Sequence, residues 1–172
     1  MLRPGVRKTG EKTRVGKGLK MNAANKIAGD VPRISRILVA TDFSTQARNA
    51  LQWARYLADA FGAKLILLHV IDIFSLAEIG CVMEGGTDPL HLLREQAHKC
   101  MGELKALIPS AETVVREASP RPVIVETALE LNCQMIVMGT HGRSGLAHLL
   151  LGSVAEYVVR NSKVPVLTIC AD

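Results

Sequence analysis

From Ile34 to Cys170 the chain alternates short apolar runs with amphipathic segments, and that alternation leaves few folds open to it. The runs "ISRILVA", "KLILLHV", "ETVVREA", "QMIVMG" and "VPVLTIC" are brief and rich in Val, Ile and Leu, as strands buried in a sheet are. Between the first two, Ala47, Ala50, Leu51, Ala54, Leu57, Ala58 and Phe61 recur at three- and four-residue spacing, the stripe of a helix lying on a core. Ser44 stands where that helix needs an N-cap, and Gly62 where its end needs a left-handed residue. "LHLLREQAHKCMGELKALI" reads as a second helix stopped by Pro109. Pro120 and Pro122 open a third with Ile124, Ala128 and Leu131 on its apolar side, and "SVAEYVVRN" is a short fourth. Strands that alternate with helices imply parallel pairing, and parallel sheets are covered on both faces. The expectation is one α/β domain over residues 33–172, preceded by an extension over residues 1–32.

That extension accounts for the charge. The whole chain of 172 residues is formally +5, but residues 1–32 hold eight Lys or Arg against two acids, and the rest holds thirteen against fourteen. A near-neutral globular part therefore follows a basic, glycine-rich segment with no apolar periodicity. Such a segment reads as a flexible tail. An arm for an acidic partner is the alternative, as is a start at Met21. Dispersed charges without aromatics argue against a nucleic-acid arm. No apolar run approaches the ~18–20 residues of a membrane span, and no apolar stretch of a secretory signal follows the basic start. Cys81, Cys100, Cys133 and Cys170 form no CxxC pair. Cys133 and Cys170 lie in apolar runs and read as buried thiols, which points to a reducing cytoplasm.

The stretch "GTHGRSGLAHLLLGS", Gly139 to Ser153, breaks the apolar pattern directly after the fourth strand. In an open α/β sheet, ligands bind at the carboxyl ends of the strands. Glycines there let backbone N–H groups approach an anion, and the helix opening at Ser153 adds unpaired donors and a partial positive charge. A phosphate chain suits such a loop. Neither GxxxxGK[ST] nor GxGxxG occurs in it.

The spacing that does occur, Gly139-x2-Gly142-x9-Gly152-Ser153, resembles the G-x2-G-x9-G-[S/T] nucleotide motif of the universal stress protein family. "ILVATDFS", "LLHV" and the long stretch from "IVMGTHGRSG" to "VPVLTI" resemble that family's first strand, second strand and C-terminal third, so the resemblance spans about residues 34–170. It implies a flavodoxin-like three-layer sandwich with a five-stranded parallel sheet of order 3-2-1-4-5. It implies an adenine nucleotide, ATP above all, with Mg2+ as its companion, and a homodimer through the last strand, Val164 to Cys170. By position, Asp42 resembles the residue on the adenine edge, with Thr41 beside it, and Val70 the one whose backbone meets the base. Gly139 and Gly142 resemble the ribose and phosphate contacts, flanked by Met138, and Gly152, Ser153 and Val154 the turn around the outer phosphates. Gln134 and Ala118 stand where the family often has Asp and Gly, which loosens the local fit.

Plainer roles stand beside these. Ser153 and Glu156 have capping-box spacing, Asp42 has the place of a turn residue, and His141 and Arg143 either meet phosphate or face water. Trp53 reads as half-buried packing, and the loop "CVMEGG" as a lid or an ordinary loop. With no P-loop lysine, metal carboxylate or partnered nucleophile, the sequence favours a nucleotide-binding protein that works by ligand-dependent association with other proteins. A slow ATPase or autophosphorylating phosphotransferase, acting on Ser153, is the alternative, and a ligand-free dimerising module the third.

Overall fold

The computed structural model describes residues 33–74, 88–141 and 151–170. Five strands, β1 (Arg36–Ala40), β2 (Lys64–Ile71), β3 (Glu112–Glu117), β4 (Met135–Gly139) and β5 (Val166–Ile169), form one sheet of order β3-β2-β1-β4-β5. Every pairing is parallel. Four helices, α1 (Thr45–Phe61), α2 (Pro89–Leu107), α3 (Pro120–Glu130) and α4 (Ser153–Asn161), connect and cover it. This is the flavodoxin-like order that the sequence led us to expect.

The period of two along each strand divides the core. Ile37, Val39, Leu65, Leu67 and Val137 face α1 and α2, where Ala50, Leu51, Ala54, Ala58 and Met101 meet them. Leu38, Ile66, Leu68, Ile136 and Met138 face α3 and α4, meeting Ile124, Ala128, Ala155 and Val158. The alanines of α1 matter because a small side chain lets the helix axis lie close to the sheet.

Local signals act as chemistry requires. The Ser44 hydroxyl accepts from the Ala47 N–H at 3.2 Å, and Gly62 closes α1 with φ +64°. Asp88 caps α2, accepting from Leu90 N–H at 3.0 Å, so this helix begins at Pro89. Gln134 is tied more firmly than its departure from the family pattern led us to expect. Its Oε1 accepts from Ser35 N–H, Ser35 Oγ–H and Arg36 N–H, each at 2.9 Å, and so binds the entry of β1 to that of β4.

Three expectations are corrected. Trp53 is 53% exposed rather than half-buried packing, because it lies outside the stripe of α1 that meets the sheet. Cys170 is exposed, because β5 ends one residue before it, whereas Cys133 is buried and its thiol is pushed up to about 11 by desolvation. Ser153 is the first helical residue, not the cap. Gly152 holds the cap position without a side-chain bond, and the Glu156 carboxylate pairs with Arg160 at 2.9 Å. The basic extension, Cys81 and the "CVMEGG" loop lie outside the described residues.

Candidate functional site

The carboxyl ends of β1, β2 and β4 open into a cavity of about 210 Å³, bounded by the starts of α3 and α4. A water takes up about 30 Å³ of liquid, so there is room for an organic group. The topology puts the cavity there. β1 lies between β2 and β4, and the chain leaves β1 toward one neighbour by way of α1 and reaches the other only after β3. The strand ends part at that switch point.

Nine residues singled out from the sequence line this cavity together: Thr41, Asp42, Val70, Met138, Gly139, His141, Gly152, Ser153 and Val154. The other two, Gly142 and Arg143, lie outside the described residues. Ala40, Ala47, Leu68, Pro120, Ile124, Thr140 and Ala155 line it as well and were not singled out. Thr140 lay within the glycine stretch, and Pro120 had been read only as a helix opener. The rest are small or aliphatic residues whose sequence signal is simply that of the core.

The β1–α1 turn is held tightly. Thr41 is buried, its N–H donates to Leu68 O at 2.9 Å, and its hydroxyl accepts from Phe43 N–H at 3.1 Å. Its carbonyl accepts from His69 Nδ1 at 2.8 Å, which fixes that ring's proton on Nδ1, and the ring lies 4.3 Å from that of Phe43. Phe43 has φ +66°, a left-handed conformation that costs a bulky residue free energy and is kept by its surroundings. Asp42 serves this turn, since its Oδ1 accepts from Ser44 N–H at 3.0 Å. A carboxylate has about four acceptor positions, so the turn does not exhaust it.

Across the cavity, Gly139 and Gly152 are glycines because of close approach. A Cβ on Gly139 would stand 2.9 Å from Gln46 Cβ and 3.3 Å from His141 O. One on Gly152 would stand 3.0 Å from Thr140 O, to which the Gly152 N–H donates at 2.8 Å. Gly152 has φ −70°, a conformation open to any residue, so close approach and not backbone conformation calls for glycine here. Its closeness to Thr140 swings the start of α4 over the end of β4. The first N–H groups of α4 have no partners within the helix, and Ser153, Val154 and Ala155 bring them to the cavity wall. Thr140 Oγ1 lies 3.0 Å from His141 Nδ1, orienting that ring within the wall.

The walls thus differ in chemistry. α3 contributes Pro120, which has no N–H, and the aliphatic Ile124, whereas α4 contributes donors. Asp42 adds an acceptor. An apolar slot with an acceptor at one side and an anion-seeking helix terminus at another suits a planar heterocycle carrying an anionic group. Among the described residues, no cluster of three His, Cys, Asp or Glu is placed to hold a metal ion.

Fold and cavity define a flavodoxin-like α/β protein with an open cavity at its switch point. The universal stress protein family model matches residues 33–169, and the chain belongs to that family. It is 32% identical to universal stress protein MJ0531 of Methanocaldococcus jannaschii over 139 residues, covering 78% of this chain and 81% of that one. It is 33% identical to MJ0577 of the same organism over 151 residues, covering 78% and 93%. A solved structure of MJ0577 superposes with a TM-score of 0.73 at 30% identity, covering 82% of this chain and 99% of that one. Another, of a universal stress protein in complex with cAMP, does so with a TM-score of 0.52 at 27% identity, covering 81% and 98%.

Proposed function

We propose that this protein binds an adenine nucleotide in the cavity and acts in the cytoplasm through nucleotide-dependent association with other proteins, as a homodimer joined at β5. One observation carries the reading. The Asp42 acceptor, the apolar slot at Val70 and Met138, and the donor end of α4 all converge on a single cavity. The base lies against Val70, Pro120 and Ile124 with its amino edge toward Asp42, and the phosphate meets the N–H groups of Ser153 and Val154. By their positions in the glycine motif, Gly142 and Arg143 are assigned to phosphate as well. The relative solved with cAMP supports the choice of base. Any Mg2+ travels with the phosphates and keeps most of its water, as it does where a protein offers no carboxylate cage.

Calorimetry with ATP and GTP tests this. Replacing Asp42 with Ala removes a charged hydrogen-bond acceptor worth about 1.5–3 kcal/mol, a ten- to hundredfold loss of ATP affinity, with little change for GTP. Equal ATP affinity in the variant and the native chain would refute the assignment.

Turnover is expected far below the ~1–1,000 per second of ordinary enzymes. The sequence has no P-loop lysine, and Asp42, the one carboxylate of the described lining, serves the β1–α1 turn and the base, whereas phosphoryl transfer relies on a positioned metal and a group that orients the nucleophile. Slow phosphorylation of Ser153 is the second reading, favoured by an exposed hydroxyl at the cavity wall that caps no helix. The dimer reading rests on a difference between the two sheet edges. β3 carries Glu112, Arg116 and Glu117, whereas β5 has no charge from Val166 to Ile169 and is partly exposed throughout. Uncharged edges invite a further strand. Residues 1–32 we assign to a tail that the folded part does not need.

A further inference from the structure

The chain has one Trp and two Tyr, and it places Trp53 and Tyr56 on the outside of α1. Trp53 is 53% exposed and Tyr56 67%, and their rings meet edge to face at 6.3 Å. Large aromatics are costly to leave in water, and a pair of them is the residue type that anchors protein interfaces.

Their position decides what can cover them. Gln46, on the first turn of α1, abuts Gly139 of β4, so that flank of the helix points toward β4 and β5. Trp53 lies seven residues further, two turns along the same flank. α1 packs mainly on β4 and β1 and less on β5. Beyond it, Leu167 and Ile169 lean against the α1 side of the core and stay partly exposed at the sheet edge.

Antiparallel pairing of two β5 strands has its two-fold axis perpendicular to the sheet, which sets both copies of α1 on the same face. Their axes are then about four strand spacings apart, roughly 19 Å. Two helices with their side chains, each about 10–12 Å across, leave a trough of about 8 Å. Its floor is Leu167 and Ile169 from both copies, and only long, stiff, apolar side chains on the facing flanks can roof it.

We propose that Trp53, backed by Tyr56, fills this trough from each side and makes α1 the aromatic flank of the homodimer interface; this rests on the β5 pairing proposed above. The occupant is a second copy of this chain, because the flank overlooks the uncharged β5 edge and Trp53 itself has only uncharged helical neighbours, Asn49, Ala50, Tyr56 and Leu57, with Asp59 lying beyond Tyr56 on the side away from Trp53. α1 therefore sets dimer strength, while β5 sets its geometry.

Trp53 is the chain's sole tryptophan and so its own reporter. Sedimentation and tryptophan emission are followed together on the full chain during dilution from micromolar concentration. The expected result is blue-shifted emission in the dimer and a return to the solvent-exposed value on dissociation. Tyr56→Ser, which keeps the reporter, and Trp53→Ala should each weaken the dimer by at least about tenfold. Both side chains are exposed in the monomer, and thermal melts of each variant in the Leu167→Lys background check that the fold is intact. A dimer whose emission is unchanged on dissociation, with both variants associating as the native chain does, overturns the α1 contact and leaves β5 pairing standing. A chain that is monomeric throughout overturns both.

Discussion

Replacing Gly139 with Ala tests how closely α1 seats on β4. The added Cβ would stand 2.9 Å from Gln46 Cβ and 3.2 Å from the Gln46 backbone carbon. Neither is the free end of a flexible side chain, so the helix itself must move. Its inner surface is Ala47, Ala50, Ala54 and Ala58 with Leu51 as the one larger buried side chain, which leaves little that can yield in its place. Overpacking of this kind costs about 1–3 kcal/mol, and a rigid obstruction from backbone argues for the middle of that range, about 2 kcal/mol. In a urea titration with a slope of about 2 kcal/mol/M, the midpoint falls by about 1 M with the slope unchanged. The melting temperature falls by about 8 °C. Gln46→Gly alone costs about 1 kcal/mol in helix propensity. The double variant should be less damaged than the sum of the two, by about 1 kcal/mol, because the first obstruction has gone. A Gly139→Ala chain as stable as the native one, or strict additivity in the double variant, would refute this account of the glycine.

Two further perturbations address other contacts. Replacing Gln134 with Ala strips three donors at Ser35 and Arg36 of their acceptor and should cost about 1–3 kcal/mol in urea unfolding, whereas Gln134→Glu, which keeps the acceptor, should recover most of it. Burial holds the folded Cys133 thiol at about 11 against 9.0 for the ordinary group, so the unfolded chain loses that proton first. Stability should therefore fall as pH rises from about 9 to about 11, and pH-dependent melts of Cys133→Ala should show a shallower fall over the same interval.

The fold was legible because period and punctuation agreed. Ser44, Gly62, Pro109 and Pro120 bound their helices as their chemistry requires, and the apolar runs fell on the five strands. The order of those strands came from the family resemblance, since periodicity says which residues are buried and not which strands are neighbours. At the site, chemistry-bearing residues were legible and aliphatic ones were not: Leu68 and Ile124 look like any core residue until the chain brings them beside Asp42. Ser153 shows the limit of spacing as evidence. Its capping-box partner Glu156 is in place, but Gly152 lies so close to Thr140 that the helix starts one residue earlier than the spacing assumes, and Arg160 takes the carboxylate. Trp53 misled for a similar reason. A border position on a helical stripe is buried only if the layer beneath extends far enough, and here the sheet ends at β5, one strand beyond β4.

The cavity is cut into one half of the core and not the other. Leu68, Ile124, Met138 and Ala155 belong at once to the cavity wall and to the cluster beneath α3 and α4, while no residue of the cluster beneath α1 and α2 lines the cavity. Filling the cavity therefore completes the packing of one layer. A ligand at a hundred times its dissociation constant adds about 2.7 kcal/mol to the folded state, a sizeable part of the 5–15 kcal/mol that holds a typical domain together. If the proposed nucleotide fills the cavity, occupancy bears on survival as well as association: the emptied chain would open more often on its α3–α4 side, and quality control in the cell would read ligand supply as protein lifetime.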